Sequence, residues 1–309
     1  MHAGSRVDLP MRKGSERAIL GRSPLGACLK RFLKWTAVSI LGIVVLAALA
    51  VFAVSEYRLR QKFDIAATPI AVPTDSAALL RGRHLYATRG CEGCHGKDVA
   101  GQVFFNDPKL ARLVAPNVPK VIRAYSDPEL ARLLRHGVRP DGRGVAVMPS
   151  AMLYNLDDTD LGALIAYLRT IPVKDSAALP STFMGPLARV GLTLGQYNLE
   201  PAAMTHDAPR PTNGPDAVAR GQYTAMSSCV ECHGPRLEGK MGAPGLSIVQ
   251  GYTAAEFSRL MREGVPRDGR KLDLMARTSR GRFVNFSDDE IAELYAYLSR
   301  QVMARTQSN

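Results

Sequence analysis

Residues 36–54, TAVSILGIVVLAALAVFAV, run 19 positions without a charge between Trp35 and Glu56. About 20 apolar residues cross a bilayer as a helix. A soluble core helix of this length would carry a polar stripe, and this segment has none. The expected arrangement is a basic tail over 1–34 and a transmembrane anchor over 35–55. Beyond the anchor the apolar positions recur at helical spacing. Ser126 and Glu129 form a capping box ahead of Leu130, Leu133 and Leu134. Leu161, Leu164, Ile165 and Leu168 follow the i, i+3, i+4, i+7 pattern. Thr253 with Glu256, and Ser287 with Glu290 before Ile291, Leu294, Tyr295 and Leu298, repeat these signatures later in the chain. Strand-type alternation is scarce, so the exported body is expected to be all-α.

That later part is a second copy of the earlier one. Arg81-Gly82 is matched by Arg220-Gly221, CEGCHG at 91–96 by CVECHG at 229–234, and Ala166-Tyr167-Leu168 by Ala296-Tyr297-Leu298. Arg-x-Gly-Val and Asp-Gly-Arg motifs lie between them in the same order in both copies. The expected units are residues 75–172 and 212–303, joined by a proline-rich connector over 173–211, with one short helix within 187–199.

Composition excludes several classes. The chain has 309 residues, 46% hydrophobic and 22% charged, which rules out a disordered chain. Five cysteines are too few for a disulfide scaffold. The net charge of +12 raises nucleic acid as a partner. Half of it, eight basic against two acidic side chains, lies in residues 1–34, where it predicts a cytoplasmic N-terminus and an exported body. The charge therefore reads as a topology signal with modest docking charge, not as a nucleic-acid footprint. A cleaved signal peptide ending at Ala48-Leu49-Ala50 is the competing reading, but the apolar run is longer than such segments.

The chemistry lies in Cys-x-x-Cys-His, present once in each copy. The motif is that of c-type haem attachment. Two thiols, Cys91 and Cys94 or Cys229 and Cys232, add to two porphyrin vinyl groups, and His95 or His233 is held under the iron. Disulfides would not need the histidines. A shared zinc would draw on pairs far apart in sequence. A thioredoxin-like site lacks its βαβ context. Two covalently attached haem c groups are the expected cofactors. The opposite axial ligands are expected from methionines in the loop before each last helix: Met148, with Met152 as its competitor, and Met275, ahead of Met241, Met261 and Met303. His84, His136 and His206 are the other histidines considered. Pro116 and Pro244 offer backbone carbonyls to the second ring nitrogen of each motif histidine.

With these motifs the chain resembles the class I cytochrome c family, in its membrane-anchored dihaem form. CEGCHG and CVECHG carry the resemblance. So do APN and APGL, the loops VMPSAMLYNLDD and LDLMARTSRGRFVNFSDD, and LIAYLR and LYAYLS. The second loop lacks the proline that follows Met148. The connector segment GPLARVGLTLG is similar to that of multihaem cytochrome subunits of membrane-bound dehydrogenases. The resemblance implies the axial pairs His95/Met148 and His233/Met275, steadied by Pro116 and Pro244. It also implies haem domains in the periplasm of a bacterial inner membrane. The expected role is electron transfer without bond chemistry. The redox partners would be a dehydrogenase, a quinol-linked complex or a terminal oxidase. Alternatives are a dihaem enzyme of the thiosulfate dehydrogenase or peroxidase type, and a cytochrome subunit of a dehydrogenase complex.

Overall fold

The computed structural model describes residues 24–174, 178–240 and 242–306. Most of the basic tail and Met241 lie outside these residues, as does the Met303 side chain. The chain divides into two units at Ala50/Val51. Helix α1, Pro24–Leu59, begins in the first and ends in the second. Its apolar stretch has no buried residue and is long enough and apolar enough to cross a membrane.

From Val51 onward the repeats lie in one body. The first contains α2 (Ser76–Thr88), α3 (Cys91–His95), α4 (Val118–Val121), α5 (Asp127–His136), α6 (Ser150–Leu153) and α7 (Asp158–Thr170). The connector supplies α8 (Pro186–Thr193). The second repeat contains α9 (Ala217–Met226), α10 (Val230–His233), α11 (Ala254–Glu263), α12 (Leu274–Gly281) and α13 (Asp288–Thr306). The capping boxes expected at Ser126/Glu129 and Thr253/Glu256 are both formed.

Each repeat is built on a close crossing of its first and last long helices, α2 with α7 and α9 with α13. Glycine makes the approach possible. A Cβ on Gly82 would stand 2.0 Å from the Ala163 carbonyl oxygen, and one on Gly221 2.0 Å from that of Glu293. This explains the paired Arg-Gly of the two copies. Leu85, Leu161, Leu164 and Ile165 fill the first core, and Tyr223, Leu294 and Leu298 lie in the second.

Among the described residues two small sheets accompany the helices. Strands β1 (Gln102–Asp107) and β2 (Ala111–Ala115) pair antiparallel, and β3 (Phe183–Met184) from the connector joins β2. In the second repeat the same hairpin shrinks to β4 (Gly239–Lys240) and β5 (Ala243–Pro244). The longer hairpin accounts for the wider His–Pro spacing of the first copy. A register shift between Val103 and Phe105 interrupts the alternation that would mark β1 in sequence.

The repeats meet through reciprocal contacts. His84 on α2 bonds Glu290 at 2.8 Å, at the start of α13. In the equivalent place, Tyr223 on α9 donates to Asp160 at 2.7 Å, at the start of α7. Arg89 and Ser227, each two residues before its motif's first cysteine, bond to one another at 2.9 Å. Met152 and Arg282, each fourteen residues before its own Ala-Tyr-Leu, also touch, at 2.9 Å. Such mutual pairing is what a two-fold relation between like units produces.

Two outcomes follow for stability. Gly221→Ala must separate α9 from α13 and is expected to cost about 3 kcal/mol, read as a lower urea midpoint by circular dichroism. An unchanged midpoint would contradict the close crossing. Burial alone raises the Asp160 and Glu290 carboxyls, but Arg81 beside the first and His84 beside the second hold both below their usual range. Depressed folded values mean stability that is present at neutral pH and lost as pH falls through them. The urea midpoint should therefore drop below about pH 4, and Asp160→Asn should lower it at pH 7 while flattening that acid limb.

Candidate functional site

The two Cys-x-x-Cys-His segments form the short helices α3 and α10. Each ends on a glycine, Gly96 or Gly234, with φ of 82° and 84°, a conformation that turns the chain sharply after the histidine. No disulfide joins the four motif cysteines. Burial pushes the Cys91 and Cys229 thiols up to about 11.

The histidines are held alike. His95 Nδ1 donates to the Pro116 carbonyl at 3.1 Å, and His233 Nδ1 to the Pro244 carbonyl at 2.7 Å. Burial lowers both imidazole pKa values, against the raising effect of the carbonyl. Each ring is thereby kept neutral with Nδ1 protonated. Its Nε2 carries the lone pair and has no hydrogen-bond partner among the described residues. Two thiols, a tethered imidazole and an available Nε2 are the donor set that a covalently attached haem requires. The residues present fit the group.

Met148 and Met275 are partly buried against the core. Met148 precedes Pro149 and helix α6. Met275 differs from its expected loop position: it lies in the first turn of α12, because Leu-Met-Ala-Arg has no helix breaker before Gly281. Met152 is fully buried, and its sulfur accepts from Arg282 Nη2. Met261 is core, as its helical position suggested. His84 and His136 are tied to other partners: Glu290 holds His84, and His136 Nδ1 meets His206 Nδ1 at 3.0 Å. His206 in turn donates from Nε2 to the Pro201 carbonyl.

The connector braces the Met148 loop. Glu200 N donates to the Val145 carbonyl at 3.2 Å, and the Tyr197 hydroxyl to that of Ala146. Burial, with Glu231 nearby, pushes the Glu200 carboxyl up to about 7 while the Met148 and Ser150 amides hold it down.

Sequence reasoning missed the seam between the motifs. Arg282 donates from Nε to the Thr88 carbonyl at 2.6 Å and from Nη2 to the Ser228 carbonyl at 3.1 Å. Those carbonyls lie just before the two attachment motifs, so one guanidinium ties both together. Arg89 is buried beside it, its Nε without a partner, and burial and the Arg282 charge lower its pKa to about 10. The usable signal was positional: Arg89 and Ser227 occupy the same place in the two copies.

The cytochrome c family model matches residues 79–172 and 218–301, more than half of the chain. The chain is 28% identical over 181 residues to the fructose dehydrogenase cytochrome subunit of Gluconobacter japonicus, covering 53% of this chain and 37% of that protein. It is 28% identical over 200 residues to the alcohol dehydrogenase (quinone) cytochrome c subunit of Gluconacetobacter polyoxogenes, covering 60% of this chain and 41% of that one. The subunit of the same description from Komagataeibacter europaeus matches equally. The chain thus spans about two fifths of the length of these relatives. With both repeats matched and a haem-type donor set in each, this chain belongs to the cytochrome c family of electron carriers, whose domains hold haem c covalently.

Proposed function

We propose that the chain is a membrane-anchored dihaem carrier that moves electrons between redox partners at the outer face of a bacterial inner membrane. The observation that carries this reading is the duplicated donor set: in each repeat a proline carbonyl fixes Nδ1 of the motif histidine and leaves Nε2 for a metal. Cys91 and Cys94 hold one haem, Cys229 and Cys232 the other. His95 with Met148, and His233 with Met275, would be the protein ligands to the two irons. Met152 is set aside because its sulfur already accepts from Arg282. A haem bound in this way supplies a one-electron iron couple.

The protein's part is to fill both axial positions, exclude other ligands and set the potential. Pro149 and the Glu200 contact stiffen the chain around Met148. Arginine stays charged in a protein, so Arg282 and Arg89 place positive charge beside both attachment motifs. Such charge favours the reduced state and raises the potential. Their seam holds the two motifs close, which favours exchange between the sites within one chain. The relatives named above are cytochrome subunits of dehydrogenases, so the proposed electron source is a membrane dehydrogenase. The same similarity supports a stable subunit role, which copurification of a dehydrogenase with the tagged chain would show.

Met148→Ala and Met275→Ala should each open one haem to cyanide and remove about half of the sulfur-to-iron charge-transfer absorption. Met152→Leu should leave that absorption intact. Loss in Met152→Leu with retention in Met148→Ala would reverse the assignment. Arg282→Gln should shift at least one midpoint potential downward in a spectroelectrochemical titration. Unchanged potentials would show that the guanidinium has a structural role alone.

A further inference from the structure

Helix α8 has a fastened inner side and an apolar outer side. Its inner side holds Leu192, 1% exposed, together with Arg189 and Thr193. Its outer side carries Leu187 and Val190, continued by Leu194 at the C-cap, at i, i+3 and i+7, which are 55%, 40% and 65% exposed. Between them on that side lie Pro186 and Gly191, and no charged side chain. A helix between protein and water presents polar residues outward, and this one does not.

Its inner side is fastened to the foot of α1. Thr193 Oγ1 donates to the Val51 carbonyl at 3.3 Å, and the Arg189 guanidinium lies 4.5 Å from the centre of the Phe52 ring. Arg189 also bonds Ser55 at 2.8 Å and Glu56 at 3.2 Å, and Arg58 bonds the Leu192 carbonyl at 2.6 Å. Val51 and Phe52 belong to the uncharged run that ends at Val54. Exposed Tyr57 follows, at the place where a membrane-crossing helix carries its interfacial aromatic residue. At 1.5 Å per residue, Val51 lies about 9 Å along the helix from Tyr57, on the membrane side. A helix fastened at Val51 and Phe52 therefore sits at the depth where headgroups meet acyl chains. Exposed Lys109 accepts at its carbonyl from the Leu187 amide at the start of α8, and Arg58 reaches the Leu192 carbonyl near its end, two cations suited to anionic headgroups.

We propose that α8 is an interfacial membrane helix that inserts Leu187, Val190 and Leu194 among the lipids beside the anchor. The proposal rests on the reading of α1 as a membrane span. It gives the body a second attachment to the bilayer, so that the repeats do not swing freely about one helix.

The test uses the full haem-loaded chain in nanodiscs of phosphatidylethanolamine and phosphatidylglycerol. A fraction of the lipid carries a photoactivated carbene source on its acyl chain, and adducts are mapped by peptide mass spectrometry. Adducts are expected on 36–54 and on Leu187, Val190 and Leu194, several-fold above those on Leu274, which is 57% exposed on the second repeat. Adducts on 36–54 with α8 no higher than Leu274 would overturn the proposal and leave the span intact. Absence of adducts on 36–54 would overturn the span and the proposal with it. As a second variant, Leu187→Ser with Val190→Ser and Leu194→Ser should release the body, seen as faster rotational tumbling of the domains in the same nanodiscs. Unchanged tumbling would count against the second attachment.

Discussion

One guanidinium holds the carbonyls of Thr88 and Ser228, and on that contact the relation between the two repeats depends. Each carbonyl lies at the end of its repeat's first long helix, just ahead of the attachment motif. Moving Arg282 would therefore move both motifs. The neighbouring Arg89 adds a second positive charge in a region that excludes water. Two like charges so placed are costly unless every donor is well used. The Arg282 donors meet three acceptors from both repeats, whereas Arg89 leaves Nε unpaired. The seam therefore gives up some stability and gains a fixed geometry and a positive field where the cofactors attach.

The outer pairs of the same interface work differently. His84 with Glu290, and Tyr223 with Asp160, dock a side chain from one repeat onto the first turn of the other's last helix. Carboxylates are favoured there by the helix dipole. Their equivalence in the two copies makes the arrangement one of tandem domains related by a local two-fold, with the connector wrapped around one of them. The connector closes the small sheet through β3, braces the Met148 loop at Glu200, and fastens to the foot of α1 through α8.

Much of this was legible in sequence where the code is local. Capping boxes, helical periodicity and Cys-x-x-Cys-His each need fewer than ten residues, and each element appears where its signal stands. The β1–β2 hairpin was not legible because its register shift breaks alternation. Nor was β3, a two-residue strand that exists through its partner. Met275 was expected in a loop because the last helix was the visible landmark, whereas α12 begins one residue before it. Arg282 was invisible for a different reason. Its partners, Thr88 and Met152, lie 194 and 130 residues away, and no local pattern encodes contacts at such range.

On the proposed reading, one chain holds two six-coordinate sites, each with histidine and methionine from its own repeat. Near-infrared magnetic circular dichroism of the oxidised full chain in detergent, scaled per haem, tests it most directly. Two low-spin irons per chain, both with the histidine–methionine signature, are expected. A bis-histidine or water-ligated iron at either site would contradict it.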